Sequence, residues 1–501
     1  MVNFFKKYHK WLGIVISLIL IMYAVSGIIL NHRELLASKD VSRQGLPLEY
    51  HNENWNNAAV KSTEEIGEDS ILIYGNIGIW LTDSNFTAFK DFNDGLPSGI
   101  DNRKVCKIKK TARGQLWAGT LFGLYHYDYP AKRWRRVHIP TKEQRVVDIA
   151  DLGDSLYFLT RSHLIKYKHG EFSVTTLPPP ENYDGKIGLF KTLWVIHSGE
   201  IYGQAGKIFV DIVALIFIFL IVTGTILFVN RYRLLNKFKR QKPFQKIKRV
   251  NLWNLRWHNK IGWISAIVLI ITTLTGMFLR PPLLVAIAEA RVAKIPGTEL
   301  AVANPWFDQL RRILYSPGNH RFLVATSEGF YYSDDNFGSE LKRFEHQPPA
   351  SVMGVNVFRR KSKDSYLVGS FEGLFEWFPE SGKVFDYIKK EPYKEMKVAG
   401  PPIGDFLITG YSNDYKNQEI AFDYNTGAMN VNRALPFVAM PENIKKAYRI
   451  SWWSLALEFH TGRFFESLLG IFYVLIVPLT GLVVLFVLIS GFVVWWKLHR
   501  N

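Results

Sequence analysis

Two textures alternate along the chain. Unbroken apolar runs at about 11–31, 208–230, 259–280 and 468–496 are each long enough to cross a bilayer as a helix, which takes about 20 residues. Between them lie two long mixed segments, 33–196 and 281–459, in which short apolar stretches recur between polar turns. The pattern predicts four transmembrane helices in two tandem halves, with an all-β periplasmic domain split between two insertions. The expected parts are a tail and first span (1–32), a β segment (33–196), a His motif and second span (197–230), a basic loop (231–257), a third span (258–280), a second β segment (281–459), and a His motif, fourth span and tail (460–501).

The halves repeat one another in detail. His9 is followed by Gly13 four residues later and by Ser26-Gly27; His258 is followed by Gly262 and Thr275-Gly276 at the same spacings. The spans that follow the β segments form a second pair. His197-Ser-Gly leads to Thr223-Gly224, and His460-Thr-Gly leads to Ser490-Gly491. Because both halves run span, insertion, span, they share an orientation and are expected to be related by an axis along the membrane normal, as parallel repeats are.

Charge sets the orientation. Arg231 to Val250 carries nine Lys or Arg and no acid, a short basic loop of the kind that stays cytoplasmic. Lys6, Lys7 and Lys10 precede the first span, and Lys497 and Arg500 follow the last. Both termini are therefore expected in the cytoplasm and both insertions outside, in a bacterial inner membrane. Trp11, Trp253, Trp257, Trp263, Trp452, Trp453, Trp495 and Trp496 fall at the expected interfaces, as an aromatic belt does. The formal charge of +18 thus needs no nucleic-acid partner. The N-terminal run is longer than a signal-peptide core and no small-x-small site follows it, so it reads as a retained span. The single Cys106 excludes an intramolecular disulfide or a Cys-rich cluster.

Each insertion has its own repeat. Leu116–Thr120 leads to Gly123-Leu124, Tyr366–Ser370 to Gly373-Leu374, and Phe322–Thr326 to Gly329-Phe330, with looser copies beginning at Ile73, Leu156 and Phe406. Spacings of 40 to 44 residues within each half suggest four-stranded propeller blades. Three blades per half would complete one β-propeller of about six blades; two separate small β domains are the alternative.

Candidate chemistry rests on histidine. His51, His126, His138, His163, His169, His320 and His346 lie in the β segments and need no special role. His9, His258, His197 and His460 occupy equivalent positions in the two halves. Neutral imidazole is a good axial ligand for haem iron, and Gly13 and Gly262, one turn from their histidines, leave room for a flat ligand on the same helix face. Pairing His9 with His258 on the cytoplasmic side and His197 with His460 on the outer side would give one haem at each face. The competing reading is that four polar rings merely anchor helix ends. His32 and His499 are reserve ligands, and Asp211, a carboxylate just inside the second span, is a functional candidate by its place. From His9 to His32 the helix runs about 34 Å, a long gap between carriers.

The membrane pattern resembles the PepSY-associated transmembrane family, which includes inner-membrane ferric-siderophore reductases that bind b-type haem. The match is carried by His9-x3-Gly13 with Ser26-Gly27, His258-x3-Gly262 with Thr275-Gly276, and the His197-Ser-Gly and His460-Thr-Gly motifs. The insertions depart from the pattern, since no PepSY domain is evident in them. The resemblance implies two haem b groups and transfer of electrons outward to a ferric chelate or siderophore. No dinucleotide fingerprint is present, so the donor would be a quinol, a soluble reductase or a diffusible flavin. A periplasmic protein could dock on the propeller. A non-enzymatic sensor or assembly protein is the rival expectation, and a haem transporter the third.

Overall fold

The structure is a computed structural model and describes residues 2–231, 243–351, 354–394, 404–432 and 436–499, with only the backbone of 243–244 and 498–499. The chain divides into two compact units, residues 1–36, 185–302 and 452–501, and residues 37–184 and 303–451. The second unit is thus narrower than the insertions 33–196 and 281–459, whose ends belong to the first.

The first unit is helical: α1 (Val2–Asn31), α2 (Leu189–Ser198), α3 (Gly203–Val229), α4 (Pro243–Phe278), α5 (Trp452–His460) and α6 (Ile476–His499). Four of its helical segments are long and apolar enough to cross a membrane. The long helices adjoin in the cyclic order α1, α3, α4, α6. Few side chains in these spans are buried, because a helix that meets hydrocarbon rather than water has no need to hide its apolar surface. α4 begins at Pro243, well before residue 259, so the expected basic loop 231–257 is helical over its second part; residues 232–242 lie outside the described residues. Proline suits the first turn of a helix, where its missing N–H has no partner to lose, and the Lys and Arg that follow it are good helix formers. α6 begins later than residue 468, after a tighter 3-10 turn over Gly470–Leu475. Lys186–Gly188 pairs with Arg291–Ala293 as a two-stranded ribbon within the same unit.

Among the described residues, the second unit holds six antiparallel sheets that are meanders in chain order, residues 60–91, 105–137 and 148–175 from the first insertion and 310–343, 357–392 and 408–430 from the second, besides the two-stranded pairing of Asp40–Val41 with Ile450–Ser451. Their first strands adjoin in the order of the sheets, and the sixth adjoins the first. The apolar cores lie between consecutive sheets. Leu72 and Tyr74 pack with Ile108 and Leu116, Trp117 with Phe158, Leu159 with Phe322, Val368 with Leu323, and Leu374 with Ile408. The sixth core, in which Ile73 and Trp80 meet Ile420 and Phe422, closes the cycle. Each sheet thus packs on the next in chain order, and the last on the first. The second strands, such as Leu116–Thr120 and Tyr366–Ser370, are buried end to end because sheets cover both their faces.

Closure uses the start of the unit. The sixth sheet has three strands, and residues 54–57 run beside it: Ala428 N–H donates to Asn54 O at 2.8 Å and Asn57 N–H to Tyr424 O at 2.7 Å. Gly427, in the left-handed region at φ +81°, lies where a Cβ would strike Asn54 O, so only glycine fits. The repeat copy expected at Phe406 is out of register. The other copies fall on second strands, whereas the sixth sheet's second strand is Gln418–Asp423; the bulged, polar Ile408–Tyr415 strand ahead of it disguises the true repeat.

Candidate functional site

The four histidines converge as two pairs within the helical unit. The ring centres of His9 and His258 are 6.2 Å apart, and those of His197 and His460 are 6.1 Å apart. His9 lies on α1 and His258 on α4. His197 and His460 occupy the last turns of the short helices α2 and α5. Each short helix ends on a left-handed glycine, Gly199 at φ 79° and Gly462 at φ 74°, which terminates it. At Gly199 a Cβ would sit 2.2 Å from Gly206 O. That is the physical content of the His-Ser-Gly and His-Thr-Gly motifs.

Each ring rests on a hydroxyl-glycine pair of a neighbouring helix. His460 packs on Ser26-Gly27 of α1, His197 on Thr275-Gly276 of α4, His258 on Thr223-Gly224 of α3, and His9 on Ser490-Gly491 of α6. A Cβ added at Gly276 would come within 2.7 Å of His197 Cε1, and one at Gly491 within 2.9 Å of His9 Cε1. At Gly27 and Gly224 the corresponding distances are 3.4 and 3.3 Å. The glycines therefore make room for histidine rings. Gly13 and Gly262 do not touch them: among the described residues a Cβ at Gly13 meets nothing within 4 Å, and one at Gly262 meets Leu220, at 3.8 Å.

Hydrogen bonds fix the tautomers. His9 Nδ1–H donates to Val487 O at 2.9 Å, and His197 Nδ1–H to Thr272 O at 3.0 Å. The other two Nδ1 atoms face hydroxyls whose protons are already committed. Ser26 Oγ donates to Met22 O at 2.7 Å and Thr223 Oγ1 to Phe219 O at 2.7 Å. Each hydroxyl oxygen therefore accepts from Nδ1–H, of His460 at 2.9 Å and His258 at 3.0 Å. With Nδ1 protonated in all four rings, the Nε2 lone pair is available, the arrangement that orients a metal-binding histidine.

The donor set fits haem. Two imidazoles that bind one metal from opposite sides, each through a bond of about 2 Å, hold their ring centres roughly 6 Å apart. Among the described residues no three His, Cys, Asp or Glu side chains converge as a metal cluster, so a macrocycle that brings its own equatorial ligands suits these sites better than a bare ion. Beside the outer pair, Arg280 lies within charge range of His460 and Tyr23, and its buried Nε has no hydrogen-bond partner among the described residues. A cation there suits an anionic edge of a bound group.

The reserve residues do other work. His32 Nε2 lies 2.6 Å from Asp211 Oδ2, and Asn31 Nδ2 donates to Asp211 Oδ1 at 3.0 Å. His32 thus spends the nitrogen a metal would need, and Asp211 is held by two neighbours rather than left alone in the span. The side chain of His499 lies outside the described residues. The outer rings also dip inward. Since His460 sits at Ser26 and His197 at Thr275, the two pairs are separated by the rise from His9 to Ser26, about 26 Å, and not by the about 34 Å to His32. The hydroxyl before each second glycine was the sequence signal for these docking positions; what the sequence could not say is which helix supplies the ring.

Solved structures similar to the chain include the extracellular domain of BT4673 from B. thetaiotaomicron (11% identity, TM-score 0.35, covering 76% of this chain and 32% of that one). The extracellular domain of BT3049 from the same organism (14%, TM-score 0.31, 76% and 40%) and PorZ of Porphyromonas gingivalis (12%, TM-score 0.19, 73% and 50%) are also similar. The chain spans half or less of the length of each of these three. No curated protein matches the sequence. The match to the PepSY-associated TM region runs from residue 9 to residue 498, from the first paired histidine to the end of α6. It takes in both histidine pairs and the β unit between the spans, and the chain belongs to that family of membrane proteins.

Proposed function

We propose that the chain is a di-haem membrane protein that passes electrons across a bacterial inner membrane to a periplasmic ferric chelate or siderophore. The observation that carries this reading is the pair of facing histidines at two levels of one helical unit, each with Nδ1 engaged and, among the described residues, no hydrogen bond at Nε2. His9 and His258 would hold one haem b, and His197 and His460 the other. Bound haem supplies a one-electron carrier at each level. The chain's own residues do the rest. The hydroxyl-glycine pairs fix the rings, the apolar spans exclude water, and Arg280 offers charge beside the outer pair. The substrate iron gains one electron, passing from the ferric to the ferrous state, and a quinol, flavin or soluble reductase on the donor side loses it.

The purified protein is expected to be red, with split α-bands in the reduced spectrum from two unlike sites. A colourless, haem-free protein would sink the reading and favour a sensor that uses the β unit to bind a ligand.

Orientation is tested separately. The basic stretch 231–250 and the Lys-flanked spans predict that reporters fused after Asn501, or inserted near Lys242, are active only in the cytoplasm. One inserted near Asp334 is expected to report from the periplasm. An outward-facing Lys242 would reverse the side given to every histidine.

A further inference from the structure

At the end of the ring where the first strands begin, cations gather. Arg312, 8% exposed on the first strand of the fourth sheet, links the two sheets that flank it: its guanidinium donates to Val147 O at 2.6 Å, Asn356 O at 3.0 Å and Val355 O at 3.2 Å. These carbonyls precede the first strands of the third and fifth sheets. Lys61, from the first sheet, crosses to the same asparagine and donates to Asn356 Oδ1 at 2.7 Å. Burial, and next the charge of Arg312, with Arg145 and Lys104 adding to it, push the Lys61 ammonium down to about 7. The Nε of Arg145 is buried and has no hydrogen-bond partner among the described residues.

Carboxylates nearby offset this group only in part. Asp101 pairs with Lys104 at 2.6 Å and Asp308 with Arg161 at 2.7 Å. Asp148, 3.9 Å from Arg312, accepts the N–H groups of Ile313 and Ile149 at 2.9 and 3.0 Å. Glu143 accepts from Arg161 N–H at 3.2 Å. Lys61 and Arg312 are thus satisfied in hydrogen bonds by neutral oxygens; Asp148 stands in ion-pair range of Arg312, while among the described residues Lys61 and Arg145 have no carboxylate at that range. Partly buried like charges held together repel at low effective dielectric, and an anion among them relieves that repulsion while gaining charge-assisted hydrogen bonds.

We propose that this end of the ring is a binding site for a small oxyanion-bearing ligand, a carboxylate or phosphate compound, held by Lys61 and Arg145 beside Arg312. The site stands on the β unit alone and does not depend on haem.

The test is titration calorimetry on the full chain in detergent at low salt, with citrate and inorganic phosphate as separate probes. Saturable binding of at least one is expected; citrate alone would mark a polycarboxylate site, and phosphate alone a phosphate-ester site. Arg145→Gln and Lys61→Met are each expected to weaken binding about tenfold or more, whereas Arg133→Gln, on an exposed outer strand, leaves it unchanged. Should Lys61→Met fail to fold, Arg145→Gln carries the test. No saturable heat with either probe, or unaltered affinity in Arg145→Gln, overturns the proposal. Because the readout is heat of binding, it is indifferent to whether the histidines carry haem.

Discussion

Replacing His258 with Ala is expected to lower the haem content from about two per chain to about one and to leave the outer spectrum unchanged. The ring removed is one of two that face each other at 6.2 Å, so His9 alone can offer only a single axial bond. A haem held by this pair would then be lost or become five-coordinate. His460→Ala is expected to do the reverse, because His197 is then left without its partner at 6.1 Å. It should also abolish reduction of an external ferric chelate, since the outer carrier is the last in the chain. Pyridine haemochrome analysis of the purified variants measures both. Full haem retention in both variants would rule the pairs out as ligands; His32 would be a poor substitute, with its Nε2 at Asp211.

Much of this candidate site was legible in the sequence because a duplication writes each candidate residue twice. His9 and His258 share spacing to two glycines, and His197 and His460 share a motif; two tandem halves leave few ways to bring such residues together other than in like pairs. The roles of the glycines were not legible. Gly13 and Gly262 share a helix with their histidines, so spacing pointed to them. Gly27, Gly224, Gly276 and Gly491 serve rings that arrive from other helices, and spacing along one helix carries no information about its neighbours. The ends of the spans were misread for a related reason. Apolar runs mark where hydrocarbon lies, while a helix such as Pro243–Phe278 continues through polar residues as long as its backbone bonds are made. In the β unit the period of the repeat carried the sheets, but the sixth copy and the strand-like closing segment at 54–57 lack the motif. Their place is set by tertiary packing.

Arg312 shows the same gap between sequence and structure, and its loss is the most severe change expected in the β unit. In Leu310–Ser316, Arg311 and Arg312 read as an ordinary charged pair on a strand, yet Arg312 is buried and joins backbone carbonyls of the two flanking sheets. Arg312→Met keeps length and removes the donors. Two effects then oppose each other. Lys61 loses a like charge, which is a gain, but a small one, because Lys61 can already give up its proton near neutral pH. Against that, the carbonyls of Val147, Val355 and Asn356 lose charged donors, each such bond contributing about 1.5–3 kcal/mol, and Asp148 loses its nearest guanidinium. The loss wins, at about 3–5 kcal/mol, equivalent to a fall of about 5–8 °C in the melting temperature of a unit this size. Arg312→Lys is expected to fall between the two, since an ammonium on a flexible stem cannot fork across the same carbonyls. Near-UV circular dichroism melts of the full chain, with the helical signal followed separately in the far-UV, would measure the difference. An Arg312→Met variant whose β unit melts with the parent would mean that the six inter-sheet cores hold the ring without help from Arg312.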